Sequence, residues 1–265
     1  MDASWLDDAA ARISRARRDG ETLDADATLG AIDEATAYAV QQRLVALRLA
    51  GGERVVGWKL GYTSAVMREQ MGVDRPNLGP LTDTMLLPDG GEVAARLVQP
   101  RVEAELAVRL GAPLDARTNP VGRDEARAAV AEALACLEVV HSTWTGYRFT
   151  LAQNTADLSS AGQVVLGPAL PPHALDALDQ VSVVLFDGSD ELGRGRGADA
   201  DGHPLDALAF LATRLAADDR GLEAGQVVIT GGLTRAFPLE PGHRLSARFT
   251  CADGSATGVS VARPG

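Results

Sequence analysis

Two glutamates at a spacing of two, a third glutamate inside an apolar run and a solitary lysine are the residues of this chain best suited to chemistry. The segment Pro100-Arg101-Val102-Glu103-Ala104-Glu105-Leu106-Ala107-Val108 alternates in polarity. Side chains on a strand repeat every two residues, so Val102, Ala104, Leu106 and Val108 share one face and Glu103 and Glu105 the other. The two glutamate backbones then lie about 7 Å apart, close enough for long side chains to converge on one hard cation. The competing reading is the solvated polar face of an edge strand. Glu138 shifts the balance, because it sits in Leu134-Ala135-Cys136-Leu137-Glu138-Val139-Val140. A carboxylate buried in such a run is costly unless it is paired or binds metal. Three carboxylates form an oxygen-donor site suited to Mg²⁺ or Mn²⁺. His141, His173, His203 and His243 are scattered, which argues against zinc.

Lys59 is the only lysine among 25 basic residues. Arginine is a permanently charged planar fork, whereas lysine is a compact charge whose pKa follows its surroundings. The plain alternative is a leftover lysine in an arginine-preferring sequence. Other chemistries lack their signatures: there is no GxGxxG after a strand, no P-loop and no GxSxG elbow. Gly193-Arg194-Gly195-Arg196-Gly197 has neither the Lys-Ser/Thr nor the following helix that phosphate binding needs. Ser159-Ser160 and His141 are near only in sequence.

The elements that must position these residues read as α+β. Trp5, Leu6, Ala9, Ala10, Ile13 and Ala16 recur at helical spacing before Gly20. Asp33 caps a second helix with an apolar stripe from Tyr38 to Leu47, ended by Gly51-Gly52. Val55 to Leu60 reads as a strand, and Thr63 or Ser64 caps a short helix stopping at Gly72. Residues 74–91, rich in Pro, Gly and Asp, read as loop. Strands are expected over 98–110, 137–141, 162–167, 180–186, 226–231, 243–250 and 257–262, with helices near 123–135 and 204–217. Hairpins are expected at Asp187-Gly188 and around Ala252-Asp253-Gly254, and a mobile loop at Arg194–Gly202. The result is one 265-residue domain: a helical part over 1–91, then a β-roll over 92–265.

With 46% hydrophobic residues the chain is typical of a globular protein. Its net charge of −11 argues against nucleic-acid binding. No basic run flanks an apolar span, and no stretch approaches a membrane span, so no membrane role is expected. The acidic start Met1-Asp2-Ala3-Ser4 lacks the features of a signal peptide, and Cys136 and Cys251 lack CxxC spacing. A cytoplasmic location with buried thiols is expected.

Several segments then occur in a telling order. They are Gly57-Trp58-Lys59-Leu60-Gly61-Tyr62-Thr63-Ser64, Pro76-Asn77-Leu78-Gly79-Pro80-Leu81, Val102-Glu103-Ala104-Glu105-Leu106-Ala107, Leu137-Glu138-Val139-Val140, Thr155-Ala156-Asp157-Leu158-Ser159-Ser160 and the stretch Leu222 to Thr234. Together they resemble the 2-keto-4-pentenoate hydratase / 4-oxalocrotonate decarboxylase branch of the fumarylacetoacetate hydrolase superfamily, over nearly the whole chain. The resemblance implies N-terminal helices followed by a rolled mixed β-sheet, with a divalent metal, usually Mg²⁺, on Glu103, Glu105 and Glu138. The family lysine falls on Lys59. Thr63, Ser64, Asn77, His141, Ser160 and Thr234 fall on positions expected to contact substrate.

The chain also departs from the family pattern. Asp-Ser-Arg becomes His141-Ser142-Thr143, Gln153 and Leu158 replace an Asp and an Asn, and Pro-Asp-Tyr-Gly becomes Pro76-Asn77-Leu78-Gly79. The implied activity is a metal-dependent hydratase of a 2-hydroxy-dienoic or 2-oxo-enoic acid, working through a metal-stabilised enolate. The alternatives are a 2-oxo acid decarboxylase, a repurposed relative with a larger, less polar substrate, and a non-catalytic partner subunit. The resemblance also implies a homo-oligomer that can assemble with a related decarboxylase or hydratase.

Overall fold

A computed structural model describes residues 2–64, 68, 69, 73 and 75–265. The helix expected to stop at Gly72 falls largely outside the described residues; Arg68 and Glu69 are helical.

The helices α1 (Ala3–Asp19), α2 (Ala25–Leu29) and α3 (Glu34–Ala50) open the chain. Asp2 caps α1 by accepting the Trp5 N–H, and Gly20 ends it with φ 71°. Asp33 caps α3 by accepting the Thr36 N–H, as its place in the sequence predicts.

The principal sheet is mixed. It contains β1 (Val55–Gly61), β2 (Asn77–Thr82), β3 (Leu86–Pro88), β4 (Arg101–Leu110), β5 (Val130–Val140), β6 (Ala161–Ala169), β9 (Val227–Gly232) and β10 (Phe237–Pro238). Its order is β2-β1-β9-β4-β5-β6-β3, with β10 paired to β4. A second, antiparallel sheet runs β12-β11-β7-β8, from β7 (Ser182–Asp187), β8 (Asp190–Arg196), β11 (Arg244–Thr250) and β12 (Ala256–Ala262). Both expected hairpins are present, β7–β8 and β11–β12.

The principal sheet separates two cores. Val102, Leu106, Ala135, Leu137, Trp58 and Leu60 pack with Leu185, Phe249 and Val259 of the second sheet and with Leu208 and Leu211. The last two lie on the helix Pro204–Ala216. Ala107, Leu134, Cys136 and Ile229 face the other way, against Ile13 of α1 and Val40 and Leu44 of α3. Period two therefore puts Lys59, Glu103, Glu105 and Glu138 on the helix-covered face. Both faces of β4 are covered and the strand is central, so Glu103 and Glu105 are not the polar face of an edge strand.

Several expectations need correction. The stretch expected as loop is not all loop, because Asn77–Thr82 is a fully buried strand paired with β1. Pro80 is tolerated there because β2 is the edge of the sheet. The first 91 residues thus supply three strands of the principal sheet as well as helices. The helix expected over 123–135 stops at Ala129, and β5 begins at Val130. Ladder pairing of β5 with β4, from Arg101↔Val140 to Leu110↔Val130, overrides the helical preference of an alanine-rich run. Arg194–Gly202 is ordered. Its first residues finish β8, and a Cβ on Gly195 would lie 1.7 Å from the Leu233 carbonyl oxygen. Gly195 and Gly197 thus mark close packing against neighbouring backbone.

Candidate active site

Strand pairing assembles the carboxylates. Glu103 and Glu138 are direct cross-strand partners on β4 and β5, and Glu105 lies one step along the same face. Ligand atoms of the three all lie within 4.8 Å of one another. One oxygen of Glu105 accepts the Gly231 N–H at 2.8 Å, while its Oε1 is buried with no hydrogen-bond partner among the described residues. A Cβ on Gly232 would sit 2.3 Å from Glu103 Oε2 and would displace that carboxylate. An orphaned buried carboxylate oxygen is costly, and three convergent carboxylates repel each other. A hard divalent cation satisfies both, so the residues present fit a metal.

Burial pushes the Glu103 carboxyl up to about 7, aided by the Glu138 charge and opposed by Lys59 and Arg101. Burial likewise raises Glu105 well above the carboxylate range, with Glu138 and Glu103 adding to it. Lys59 emerges from β1 onto the same face, and its Nζ lies 2.9 Å from Glu138 Oε1. It also donates to the Ser159 carbonyl oxygen at 2.9 Å. Burial lowers the proton affinity of the ammonium, but Glu138, Glu103 and Glu105 outweigh it, and the net shift is upward. Lys59 is therefore a charged, buried ammonium.

The Ser159 carbonyl is delivered by unusual backbone. Leu158, Ser159 and Ser160 have φ of 54°, 55° and 56°. Left-handed conformation costs a non-glycine residue roughly 1–2 kcal/mol, so this turn must be held from outside. Asn77 does part of this, accepting from Ser159 Oγ at 2.6 Å and donating to Asn154 Oδ1 at 2.9 Å. Asn154 in turn donates to Ser160 Oγ at 2.6 Å.

Lys59, Glu103, Glu138, Asn154, Ser159 and Ser160 line one cavity of about 350 Å³, together with Tyr62, Thr63, Ser64, Arg101, Tyr147, Phe149, Thr234 and Arg235. Thr234 Oγ1 accepts the Ala104 N–H at 3.0 Å, which leaves its own proton free to donate. Arg101 lies over the Tyr147 ring, 4.2 Å from the centroid.

Of the residues expected to matter, Lys59, Glu103, Glu138, Thr63, Ser64, Ser160 and Thr234 line this cavity, and Glu105 completes the carboxylate cluster beneath it. Asn77 stands behind the wall as a bracket for the turn. His141 is not in the cavity. Its ring is buried beside a different cleft, with both nitrogens unpartnered, and burial followed by the charges of Arg17 and Arg96 depresses it to about 3. Its backbone runs along β5's end, but the side chain after Val140 points to the α1–α3 side.

The departures from the family pattern also lie outside the cavity. Gln153 caps the short helix Leu151–Ala156 and donates to Asp26 and Gly30. Thr143 hydrogen-bonds Asp157 through its backbone N–H and its hydroxyl. Leu158 is fully buried. They therefore do not make the cavity lining less polar.

Arg101, Tyr147, Asn154 and Arg235 were not expected. Arg101 was legible, since it precedes Glu103 by two residues and so shares its face. The others come from loops and from a helix too short to show periodicity.

Residues 55–259 match the family described as fumarylacetoacetate (FAA) hydrolase C-terminal. The chain is 38% identical over 229 residues to a 2-keto-4-pentenoate hydratase of Burkholderia vietnamiensis, covering 84% of this chain and 86% of that one. It is 34% identical over 216 residues to a 4-oxalocrotonate decarboxylase of Pseudomonas sp., covering 81% of each. A solved 4-oxalocrotonate decarboxylase from Pseudomonas putida G7, complexed with magnesium and adipate, superposes with a TM-score of 0.91. That match has 29% identity and covers 99% of this chain and 98% of the other.

Proposed function

The chain belongs to the fumarylacetoacetate hydrolase family, in its hydratase and decarboxylase branch, and from that premise we propose that it is a Mg²⁺-dependent hydratase of a 2-hydroxy-dienoic or 2-oxo-enoic acid. The observation that carries this reading is the placement of one buried ammonium, Lys59, against three convergent carboxylates at the floor of a small cavity. A divalent cation on Glu103, Glu105 and Glu138 supplies positive charge where an enolate's electron pair collects.

The chain's own residues supply the rest. Lys59 holds a proton at Nζ and delivers it to the carbon skeleton of the dienolate. Thr234 and Ser160 have hydroxyl protons free to donate, because each oxygen already accepts a protein N–H. They orient the substrate's oxygens or the incoming water. Water then adds at the conjugated carbon, so one C=C bond is exchanged for a C–H and a C–OH bond. Phe149, Val140 and Tyr147 give the cavity an apolar wall that limits access of other water.

A second reading, decarboxylation, is favoured by Arg101 and Arg235. Both line the cavity, and neither forms an ion pair among the described residues. They suit a substrate with a second carboxylate. Here the enolate accepts the electrons as CO₂ leaves, and Lys59 again protonates carbon.

Incubation with a panel of 2-oxo acids and dienoates, with and without Mg²⁺, followed by mass analysis separates the readings. Gain of one water on 2-hydroxypenta-2,4-dienoate supports the hydratase. Loss of CO₂ from a dicarboxylic 2-oxo acid supports the second reading. No Mg²⁺-dependent conversion of any of these compounds contradicts both. The free buried thiols Cys136 and Cys251 support a reducing, cytoplasmic setting.

A further inference from the structure

Among the described residues Lys59 has two polar partners, and only one of them is a side chain. The other is the carbonyl of Ser159, at the middle of three consecutive left-handed residues. What holds that turn comes from far away in the sequence. Arg17, on α1 and 7% exposed, reaches it with its whole guanidinium. Nε donates to Asp157 Oδ1 at 2.6 Å and a terminal nitrogen to the Asp157 carbonyl at 2.8 Å. The other terminal nitrogen donates to the Ala161 carbonyl at 2.8 Å. Asp157 and Ala161 flank Leu158–Ser160 on either side, so one rigid fork fixes both ends of the strained turn. A fourth contact, to the His141 carbonyl at 3.2 Å, ties the turn to the end of β5, the strand that carries Glu138.

We propose that Arg17 is a positioning residue: it clamps both ends of the left-handed turn and so sets the Ser159 carbonyl that aims the Lys59 ammonium. The planar, five-donor geometry of arginine is what lets one side chain span both carbonyls and the carboxylate. The consequence for turnover rests on the lyase reading above; the geometric claim does not.

The solitary lysine makes the claim testable without a substrate. Protein labelled with ¹⁵N-lysine gives one ammonium signal, from Lys59, and the exchange of its protons with water reports how well they are held. In metal-free Arg17→Met that exchange quickens. With Mg²⁺ and 2-hydroxypenta-2,4-dienoate, kcat falls about tenfold to a hundredfold, the range typical of lost supporting contacts, while KM changes by less than about twofold. Arg17→Ala opens a gap onto the neighbouring cleft between α1 and α3, which Arg17 lines. Millimolar guanidinium chloride should restore slow exchange there. Arg18→Met, next door and paired with exposed Asp19, leaves both readouts unchanged.

A folded Arg17→Met protein with wild-type lysine exchange overturns the proposal, as does quickened exchange with unaltered kcat. If the wild type turns over no dienoate, the lyase reading fails and the lysine signal alone decides the clamp. If Arg17→Met does not fold, Arg17→Lys takes its place, since it keeps the charge but cannot span both ends of the turn. Quickened lysine exchange in that variant supports the clamp, and wild-type exchange overturns the proposal.

Discussion

The floor of the cavity and the turn above it are built by opposite means. The floor is regular: Glu103, Glu105 and Glu138 are placed by strand alternation and by the cross-strand pair Glu103↔Glu138. Its cost is electrostatic: three convergent carboxylates, two of them fully buried, and a Glu105 oxygen with no partner among the described residues. The turn Leu158–Ser160 is irregular, and its cost is conformational, three non-glycine residues at positive φ. Its support is a set of buried neutral amides and one arginine rather than a ladder. The two meet at Lys59, which takes one acceptor from each. Regular pairing sets charges at fixed spacing, whereas a strained turn can offer a single carbonyl where no strand could reach.

The largest expected effect comes from breaking the meeting point. Lys59→Arg keeps the charge but replaces a compact ammonium with a fork too large for one carbonyl and one carboxylate. Removing a proton carrier of this kind costs about 10²- to 10⁴-fold in rate. Initial rates alongside thermal melts check this, and retained activity would return Lys59 to an accident of composition. A smaller effect is expected from disturbing the floor alone. In Gly232→Ala the new Cβ meets Glu103 Oε2, and divalent-ion affinity by calorimetry should weaken about 10- to 100-fold, with the Lys59 ammonium signal unchanged. A shifted lysine signal in that variant would show that floor and turn are not separable.

The smallest effect concerns pH. In the metal-free protein the Glu103 carboxyl rises from 4.5 to about 7 on folding. The folded state then holds more protons than the unfolded state between those values. Stability from this group is full below about 4.5 and is lost as pH rises through about 7. The metal-free Tm should therefore fall across that window, and added Mg²⁺ should offset the fall, because it binds the deprotonated carboxylates. A Tm that is flat with pH and insensitive to Mg²⁺ would break the picture of three carboxylates sharing one cation.

The same contrast explains what could be read in advance. The alternation around Glu103, the apolar run around Glu138 and the solitary Lys59 were visible because regular strands and composition leave a periodic mark. β2 was hidden by Gly79 and Pro80, which read as loop until edge pairing with β1 accounts for them. Gly195 and Gly197 read as flexible because sequence does not show the backbone packed against them. His141 fell on an expected substrate position, yet its side chain faces the α1–α3 cleft.

By itself, then, the sequence determined the helix caps at Asp33 and Gly20, the hairpins, the face shared by Glu103 and Glu105, and the burial of Glu138. Each of these is a local matter of spacing and polarity. Only the tertiary structure decided that Lys59 would stand against Glu138 and that Ser159 would offer it a backbone carbonyl. It also decided that Arg17, 140 residues from Asp157, would brace the turn. Those contacts join parts of the chain that no periodicity links, and they exist only once the sheet and α1 have closed over one another.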